Sequence, residues 1–179
     1  RKNLIELMLS NHPDDCLYCA RNATCDLRQI ADELNVSERD LPKSNLTGEI
    51  DDSSPSLVRD PDKCILCGKC VRVCEDIQGV AAIELMARGF ESHVGISEDR
   101  NLAESRCINC GQCILACPTG ALTEKSYIQN VIDAINDPEL HVVVQHAPAI
   151  SVSLAEELGF EPGMDIDGLM VAAFHEIGF

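Results

Sequence analysis

The sequence CILCGKCVRVC occupies residues 64–74, and CINCGQCILAC occupies residues 107–117. Both stretches have the spacing C-x2-C-x2-C-x3-C, and the second begins 43 residues after the first. Pro118 follows the second stretch, whereas Glu75 follows the first. A repeat this regular predicts one structural unit over residues 57–127, built from two similar halves around metal.

The spacing is the bacterial signature for 4Fe–4S clusters, in which the fourth cysteine of a run ligates the other cluster of a pair. We therefore predict two clusters with crossed ligands. The first set, called site 2, is Cys64, Cys67, Cys70 and Cys117. The second set, called site 3, is Cys107, Cys110, Cys113 and Cys74. Gly68 and Gly111 lie inside these loops and are predicted to contact the cofactor, where close backbone approach or positive φ is expected.

Three further cysteines and one histidine could complete a third set, called site 1: His12, Cys16, Cys19 and Cys25. Spacing alone leaves two interpretations of site 1, an iron–sulfur cluster or a turn capped by His12 with cysteines that bind zinc or nothing. A neutral imidazole in place of a thiolate would make a cluster less negative and raise its potential. Zinc is also the alternative for sites 2 and 3, but zinc ribbons use two C-x-x-C pairs per ion.

Composition narrows the functional classes. The chain has 179 residues, 11 cysteines and a formal net charge of −16. Nucleic acid is an unfavourable partner because its recognition needs a basic face. An odd cysteine count and repeated C-x-x-C pairs favour metal binding in a reducing, cytoplasmic environment over disulfides. No apolar run approaches the ~18 residues of a membrane span, so no membrane insertion is expected.

The predicted fold class is α+β, with the order of segments set by the cysteine groups. The predicted divisions are 1–10 (a helix), 11–45 (the domain of site 1), 46–56 (a linker), 57–127 (a two-cluster, ferredoxin-like domain) and 128–179 (the start of an α/β domain). Apolar periodicity predicts helices near 27–34, 128–135, 152–158 and 167–177. A hairpin is predicted from 82–85 to 90–94, and a buried strand over 141–145.

With its three ligand groups in this order, the chain resembles the cytosolic iron-only (FeFe) hydrogenases. The likeness is to the catalytic subunit of the NAD(P)-linked, electron-bifurcating multimeric kind. Family-like stretches cover residues 10–19, 60–67, 78–80, 107–113 and 141–149. The resemblance implies that His12 is a ligand and that site 1 holds a 4Fe–4S cluster. It also implies that residues 1–10 leave a 2Fe–2S domain and that residues 128–179 begin the catalytic domain.

The function implied by the resemblance is relay of electrons to or from a hydrogen-activating diiron centre. No cysteine follows Cys117 to anchor that centre, so no catalytic residue is expected in this chain, although Ala147, Pro148 and Ala149 would line part of its pocket.

The implied partners are flavin/NAD(P)-binding and iron–sulfur subunits of a hetero-oligomer, with ferredoxin as a further candidate. The alternatives are the iron–sulfur arm of a formate dehydrogenase or other NAD-linked complex, and a non-catalytic electron carrier. The identity of the electron donor or acceptor, bifurcation and the direction of hydrogen turnover stay open.

Overall fold

The computed structural model describes residues 1–37 and 48–179, which form two compact units, Arg1–Lys125 and Ser126–Phe179. The helices are α1 (Lys2–Ser10), α2 (Asp26–Glu33), α3 (Lys69–Arg72), α4 (Gln112–Ala116), α5 (Ile128–Asn136), α6 (Pro148–Glu157) and α7 (Asp167–Ile177). The strands are β1 (Leu57–Arg59), β2 (Glu84–Met86), β3 (His93–Gly95) and β4 (Leu122–Glu124). The predicted mixture of helices and small sheets is confirmed. None of the helices within the two described ranges is long and apolar enough to cross a bilayer.

Two helices build the beginning of the first unit. Leu27 and Ala31 lie one turn apart on α2, and both are buried against Leu9 of α1 and Val36. Helix α2 begins directly after Cys25, which is its N-cap residue. The predicted helices at 1–10 and 27–34 are therefore confirmed. Residues 38–45 of the predicted first domain and residues 46–47 of the predicted linker lie outside the described residues.

The repeated region carries two small antiparallel sheets. Strand β1 pairs with β4, with Leu57 opposite Glu124 and Arg59 opposite Leu122. Strand β2 pairs with β3, which confirms the predicted hairpin with slightly different bounds. The buried core beneath them contains Leu57, Cys70, Ile83, Val94, Ile96, Leu102, Ile114, Cys117, Ala121 and Leu122. Two of the eight repeat cysteines thus belong to the hydrophobic core itself.

The backbone reproduces the 43-residue repeat in detail. Gly68 and Gly111 have φ values of 67° and 73°, and each is the N-cap of the helix that follows, α3 or α4. Leu66 and Asn109, at equivalent positions, also have positive φ values of 55° and 57°. The left-handed region is unfavourable for a branched residue such as Leu66. Both halves therefore adopt the same tight loop, although only the second has asparagine, which tolerates positive φ better than leucine, at this position.

The second unit contains three helices, and its small core is formed by α6, α7 and Ile166 between them. Ala155, Ile166 and Met170 are buried, and Phe174 packs against them. The helices predicted in this segment are confirmed, and α7 ends at Gly178 with φ 116°. The strand predicted over 141–145 is wrong, because these residues are irregular and mostly exposed. Within the described residues 126–179 there is no strand for it to pair with, so the α/β character predicted for this segment is not seen.

A buried carboxylate fastens the two repeats together. Asp51 is 8% exposed, and its side chain accepts hydrogen bonds from Ser53 and, at 2.8 Å, from the backbone N–H of Leu102. Its backbone also bridges to Arg59. Burial alone would raise the pKa of Asp51, but the hydrogen bonds and the nearby Arg59 charge outweigh it and lower that pKa. The residue is therefore held as a carboxylate inside the fold.

Replacing Asp51 by alanine leaves the Leu102 N–H buried without its acceptor. We expect Asp51→Ala to lower the free energy of unfolding by about 1–3 kcal/mol, measured by urea denaturation with far-UV circular dichroism. The exposed neighbour Asp52 provides the control, and Asp52→Ala should stay near wild type. Because the pKa of Asp51 is lowered in the fold, the difference should be full at pH 7 and shrink as the pH falls below about 4. Equal losses in both variants would contradict this role.

Candidate iron–sulfur sites

The four cysteines of site 2 line one cavity. Cys64 follows a 3-10 turn over Pro61–Lys63, and Cys70 lies in α3. Cys117 comes from the second repeat, directly after α4, which ends there because a proline follows and disfavours a helical residue before it. One cavity thus combines three cysteines of the first repeat with the last cysteine of the second.

Site 3 shows the reciprocal arrangement in a second cavity. That cavity is lined by Cys74, Cys107, Cys110 and Cys113. Cys74 lies in a π-helical turn over Val73–Ile77 that continues α3, and α3 packs against α4. The helix packing carries the last cysteine of each repeat to the loop of the other.

Burial and the cysteines of the same predicted site raise the pKa of two of the thiols, Cys70 and Cys113. Burial, and then the nearby charges of Cys64, Cys117 and Cys67, raise the pKa of Cys70 to about 12. Burial, and then Cys107, Cys110 and Cys74, raise the pKa of Cys113 to about 11. Both thiols are therefore protonated at neutral pH in the metal-free protein. Metal binding has to displace these protons, since the thiolate is the ligand.

Backbone N–H groups point at several of the sulfur atoms. The N–H of Leu66 lies 3.4 Å from Cys64 Sγ, and that of Asn109 lies 3.4 Å from Cys107 Sγ, at the equivalent place. The N–H of Ala82 lies 3.3 Å from Cys74 Sγ. Such donors stabilise negative charge on sulfur and are one of the means by which proteins set the potential of a cluster.

The thiols surround spaces rather than points. All eleven cysteines lie in the described ranges, and all are free thiols. Across residues 1–37 and 48–179, no three His, Cys, Asp or Glu side chains converge as the ligands of a single metal ion would. A cubane cluster presents iron at several corners, so its ligands must stand around a body of some size. The arrangement of sites 2 and 3 fits such a group.

Site 1 is assembled less completely. His12, which is 7% exposed, lines a third cavity together with Cys16 and Cys25. Its Nδ1 lies 3.3 Å from the carbonyl oxygen of Pro13, and a proton on Nδ1 would leave the lone pair on Nε2. Cys19 is not among the lining residues, and its Sγ instead lies beside Gly120. The structure brings three of the four predicted ligands together.

Three contacts that the sequence analysis missed tie site 1 to site 2. Lys63, next to Cys64, pairs with Asp15 at 2.9 Å and with Asp60 at 3.3 Å, and its hydrogen bond lowers the pKa of Asp15. Arg21 donates to the carbonyl oxygen of Cys117 at 3.0 Å.

The third contact is between backbones. The N–H of Asp26, the residue after Cys25, donates to the carbonyl oxygen of Pro118, the residue after Cys117, at 2.9 Å. One hydrogen bond therefore links the chain at a predicted site 1 ligand to the chain at a predicted site 2 ligand. Sequence spacing gives no sign of such a pairing, because the two residues are far apart along the chain.

Three further predicted residues lie at the start of α6. Pro148 occupies the first turn of α6, with Ala147 as its N-cap. Ala147, Pro148 and Ala149 are exposed in the second unit, and their contribution to a cofactor pocket stays a prediction. The same holds for cofactor contact by Gly68 and Gly111.

Two family models match the regions of the chain that contain these sites. Residues 1–40 match the family model of the NADH-ubiquinone oxidoreductase-G iron-sulfur binding region. Residues 63–121 match the 4Fe-4S dicluster domain. The first match contains all four predicted ligands of site 1, and the second contains all eight of sites 2 and 3.

Similar proteins include two curated hydrogenases. The NADP-reducing hydrogenase subunit HndD of Solidesulfovibrio fructosivorans is 40% identical over 179 residues, which is 100% of this chain and 31% of the relative. Iron hydrogenase 1 of Clostridium pasteurianum is 34% identical over 180 residues, covering 99% of this chain and 31% of the relative. The chain therefore spans about a third of the length of these relatives.

A solved structure is similar as well. The chain matches the crystal structure of an NAD+-reducing [NiFe]-hydrogenase in the H2-reduced state, with a TM-score of 0.66 and 28% identity. The match covers 70% of this chain and 54% of that one. The chain is thus similar over essentially its whole length to two hydrogenases, and it contains matches to the NADH-ubiquinone oxidoreductase-G iron–sulfur binding region and to the 4Fe–4S dicluster domain.

Proposed function

We propose that this chain is the electron-transfer segment of an iron-only hydrogenase catalytic subunit. It relays electrons through three 4Fe–4S clusters to or from a hydrogen-activating diiron centre held elsewhere in the enzyme. The observation that carries the proposal is the sorting of eight cysteines into two cavities with exchanged fourth members. When bound, such clusters accept and release single electrons at low potential.

The proposed ligands are the predicted ones. His12, Cys16, Cys19 and Cys25 hold the cluster of site 1, and the crossed cysteine sets hold those of sites 2 and 3. Shared cavities support the crossing, and the burial of His12 beside Cys16 and Cys25 supports site 1. The proposal requires the Sγ of Cys19 to move from Gly120 to that cavity. In the proposed enzyme, the 2Fe–2S and diiron cofactors are held outside the three ligand sets of this chain. The proposed divisions of this chain are 1–10, 11–45, 46–56, 57–127 and 128–179.

The contacts between the ligand loops favour an order within the relay. Asp26 and Pro118 join the backbone next to Cys25 to the backbone next to Cys117. Arg21 and Lys63 hold the same two loops together. Site 1 is thereby connected to site 2, and the exchange of Cys74 and Cys117 connects site 2 to site 3. We propose the order site 1, site 2, site 3.

The proposed setting is a cytoplasmic hetero-oligomer with flavin/NAD(P)-binding and iron–sulfur subunits, or with ferredoxin as the external partner. The likeness to a protein named as an NADP-reducing hydrogenase subunit supports it. The rival function is the iron–sulfur arm of a formate dehydrogenase. The hydrogenase proposal is favoured because both hydrogenase relatives align over essentially the whole chain, including the second unit beyond the cluster domains.

Metal analysis tests the proposal directly. Anaerobically prepared protein should contain about twelve iron and about twelve sulfide per chain, as expected for three four-iron clusters. Replacing His12 by cysteine should keep that content but lower the potential of one cluster, because thiolate adds negative charge. Zinc in place of iron would contradict the proposal, and an unchanged potential in His12→Cys would remove His12 as a ligand.

Gly120→Ala tests whether Cys19 reaches site 1. An added Cβ would lie 2.8 Å from the position that Cys19 Sγ occupies in this structure, and the backbone of Gly120 is not in the left-handed region that excludes alanine. Because Sγ leaves that position when Cys19 is a site 1 ligand, Gly120→Ala should keep about twelve iron atoms per chain, measured by iron and sulfide content. Gly168→Ala is the control, since a Cβ there meets nothing within 4 Å. A loss of about four iron atoms in Gly120→Ala alone would contradict the ligand role of Cys19.

Asp26→Pro tests the connection between sites 1 and 2. Proline removes the N–H that donates to Pro118, yet it suits the first position of α2 because Cys25 before it is extended, with φ −85° and ψ 113°. Electron exchange between the two sites, followed after laser-flash reduction, should slow several-fold with iron content unchanged.

Asp26→Ala is the matched control for this bond. It keeps the N–H and loses only the exposed pair with Lys69 at 3.6 Å. It should exchange electrons at the wild-type rate. Equal rates in all three proteins would show that this hydrogen bond has no part in the relay.

A further inference from the structure

One arginine points its side chain into the core of the two-cluster region. Leu57 and Arg59 are two residues apart on β1, so their side chains leave the same face of the strand. Leu57 is 2% exposed and lines the cavity of site 3, whereas Arg59 lines the cavity of site 2. The Arg59 side chain is 16% exposed. The same face of β1 therefore presents the apolar Leu57 to the site 3 cavity and the cationic Arg59 to the site 2 cavity.

The guanidinium of Arg59 is only partly satisfied by the protein. Its Nη1 donates to the carbonyl oxygen of Val94 at 2.8 Å, and its Nη2 lies 3.9 Å from Asp51. Its Nε–H is buried and has no hydrogen-bond partner among the described residues. A buried donor on a charged group is costly to leave unpaired. This N–H requires an acceptor that the polypeptide does not supply.

The sequence repeat provides an internal comparison. Arg59 stands five residues before Cys64, and Leu102 stands five residues before Cys107. Leu102 is 2% exposed and lines the cavity of site 3. Among the described residues that line that cavity there is no Lys, Arg or His. At this buried position the two repeats therefore differ, with arginine at site 2 and leucine at site 3.

Three other charged residues that line the site 2 cavity have protein partners. Asp60 pairs with Lys63, and Asp62 accepts from the backbone of Gly48. Arg100 also lines this cavity, but it is half exposed, pairs with Glu98, and donates its Nε–H to Ser97 at 3.1 Å. The distinctive feature of Arg59 is therefore a desolvated donor with no partner, rather than positive charge alone.

We propose that Arg59 tunes the cluster of site 2 by donating its Nε–H to a sulfur atom of that cluster. Hydrogen bonds to sulfur and added positive charge both favour the reduced, more negative cluster. The proposal rests on the ligand sets of the proposed function. It gives the cluster of site 2 a higher reduction potential than that of site 3. An electron shared by the two clusters is therefore mainly on the cluster of site 2, which is the one next to site 1.

The test is an EPR-monitored redox titration of the cluster-loaded chain. Cys67→Ser, which alters a site 2 ligand, identifies the signal of that cluster. In Arg59→Leu, which copies the second repeat, the ratio of reduced to oxidised site 2 cluster should fall about tenfold at the wild-type midpoint. For a one-electron couple, that change equals about 59 mV. Arg59→Lys keeps the charge without the Nε–H and should give a smaller fall.

Arg100→Leu is the control and should leave the ratio within twofold. An unchanged site 2 ratio in Arg59→Leu, or an equal fall in Arg100→Leu, would overturn the proposal. If Arg59→Leu loses its clusters, Arg59→Lys decides, because a wild-type ratio in that variant would also overturn it. Failure of the proposed function is distinguishable, since the unsubstituted chain would then show no iron–sulfur EPR signals at all.

Discussion

The exchange of one cysteine between the two repeats is the constraint on which the rest of the first unit depends. Cys117 leaves α4 into the cavity of the first loop, and Cys74 leaves the turn after α3 into the cavity of the second. Neither cavity can close unless both repeats are folded and α3 packs against α4. The short strands and the sparse core are compatible with this, because metal–thiolate bonds supply folding free energy that a small apolar core cannot.

The same constraint places the site 1 loop. Once Cys117 is fixed, its carbonyl oxygen and that of Pro118 face Arg21 and the Asp26 N–H. Lys63, the residue before Cys64, pairs with Asp15. Four of the residues that connect the sites are immediate neighbours of proposed ligands, namely Asp15, Asp26, Lys63 and Pro118, and Arg21 lies two residues after Cys19.

The cysteine spacing predicted the repeat and the grouping of cysteines into two cavities, because two runs of C-x2-C-x2-C-x3-C are compatible with few arrangements of the backbone. The sequence pattern failed at 141–145, where an apolar run of strand-forming residues has no partner strand in its unit. It missed the tie between Asp26 and Pro118, which is a backbone contact independent of side-chain identity. Arg59 had a sequence signal, a basic residue where the other repeat has Leu102, but only the buried, unpaired Nε gave that difference a physical meaning.

The ligands of the clusters can be identified in a crystal structure of the anaerobically prepared protein, with anomalous maps at the iron edge. We expect three separate four-iron bodies, one of them bonded to Cys64, Cys67, Cys70 and Cys117, and another to Cys74, Cys107, Cys110 and Cys113. Iron bonded to Cys107, Cys110, Cys113 and Cys117 together, or single zinc ions in these positions, would contradict it.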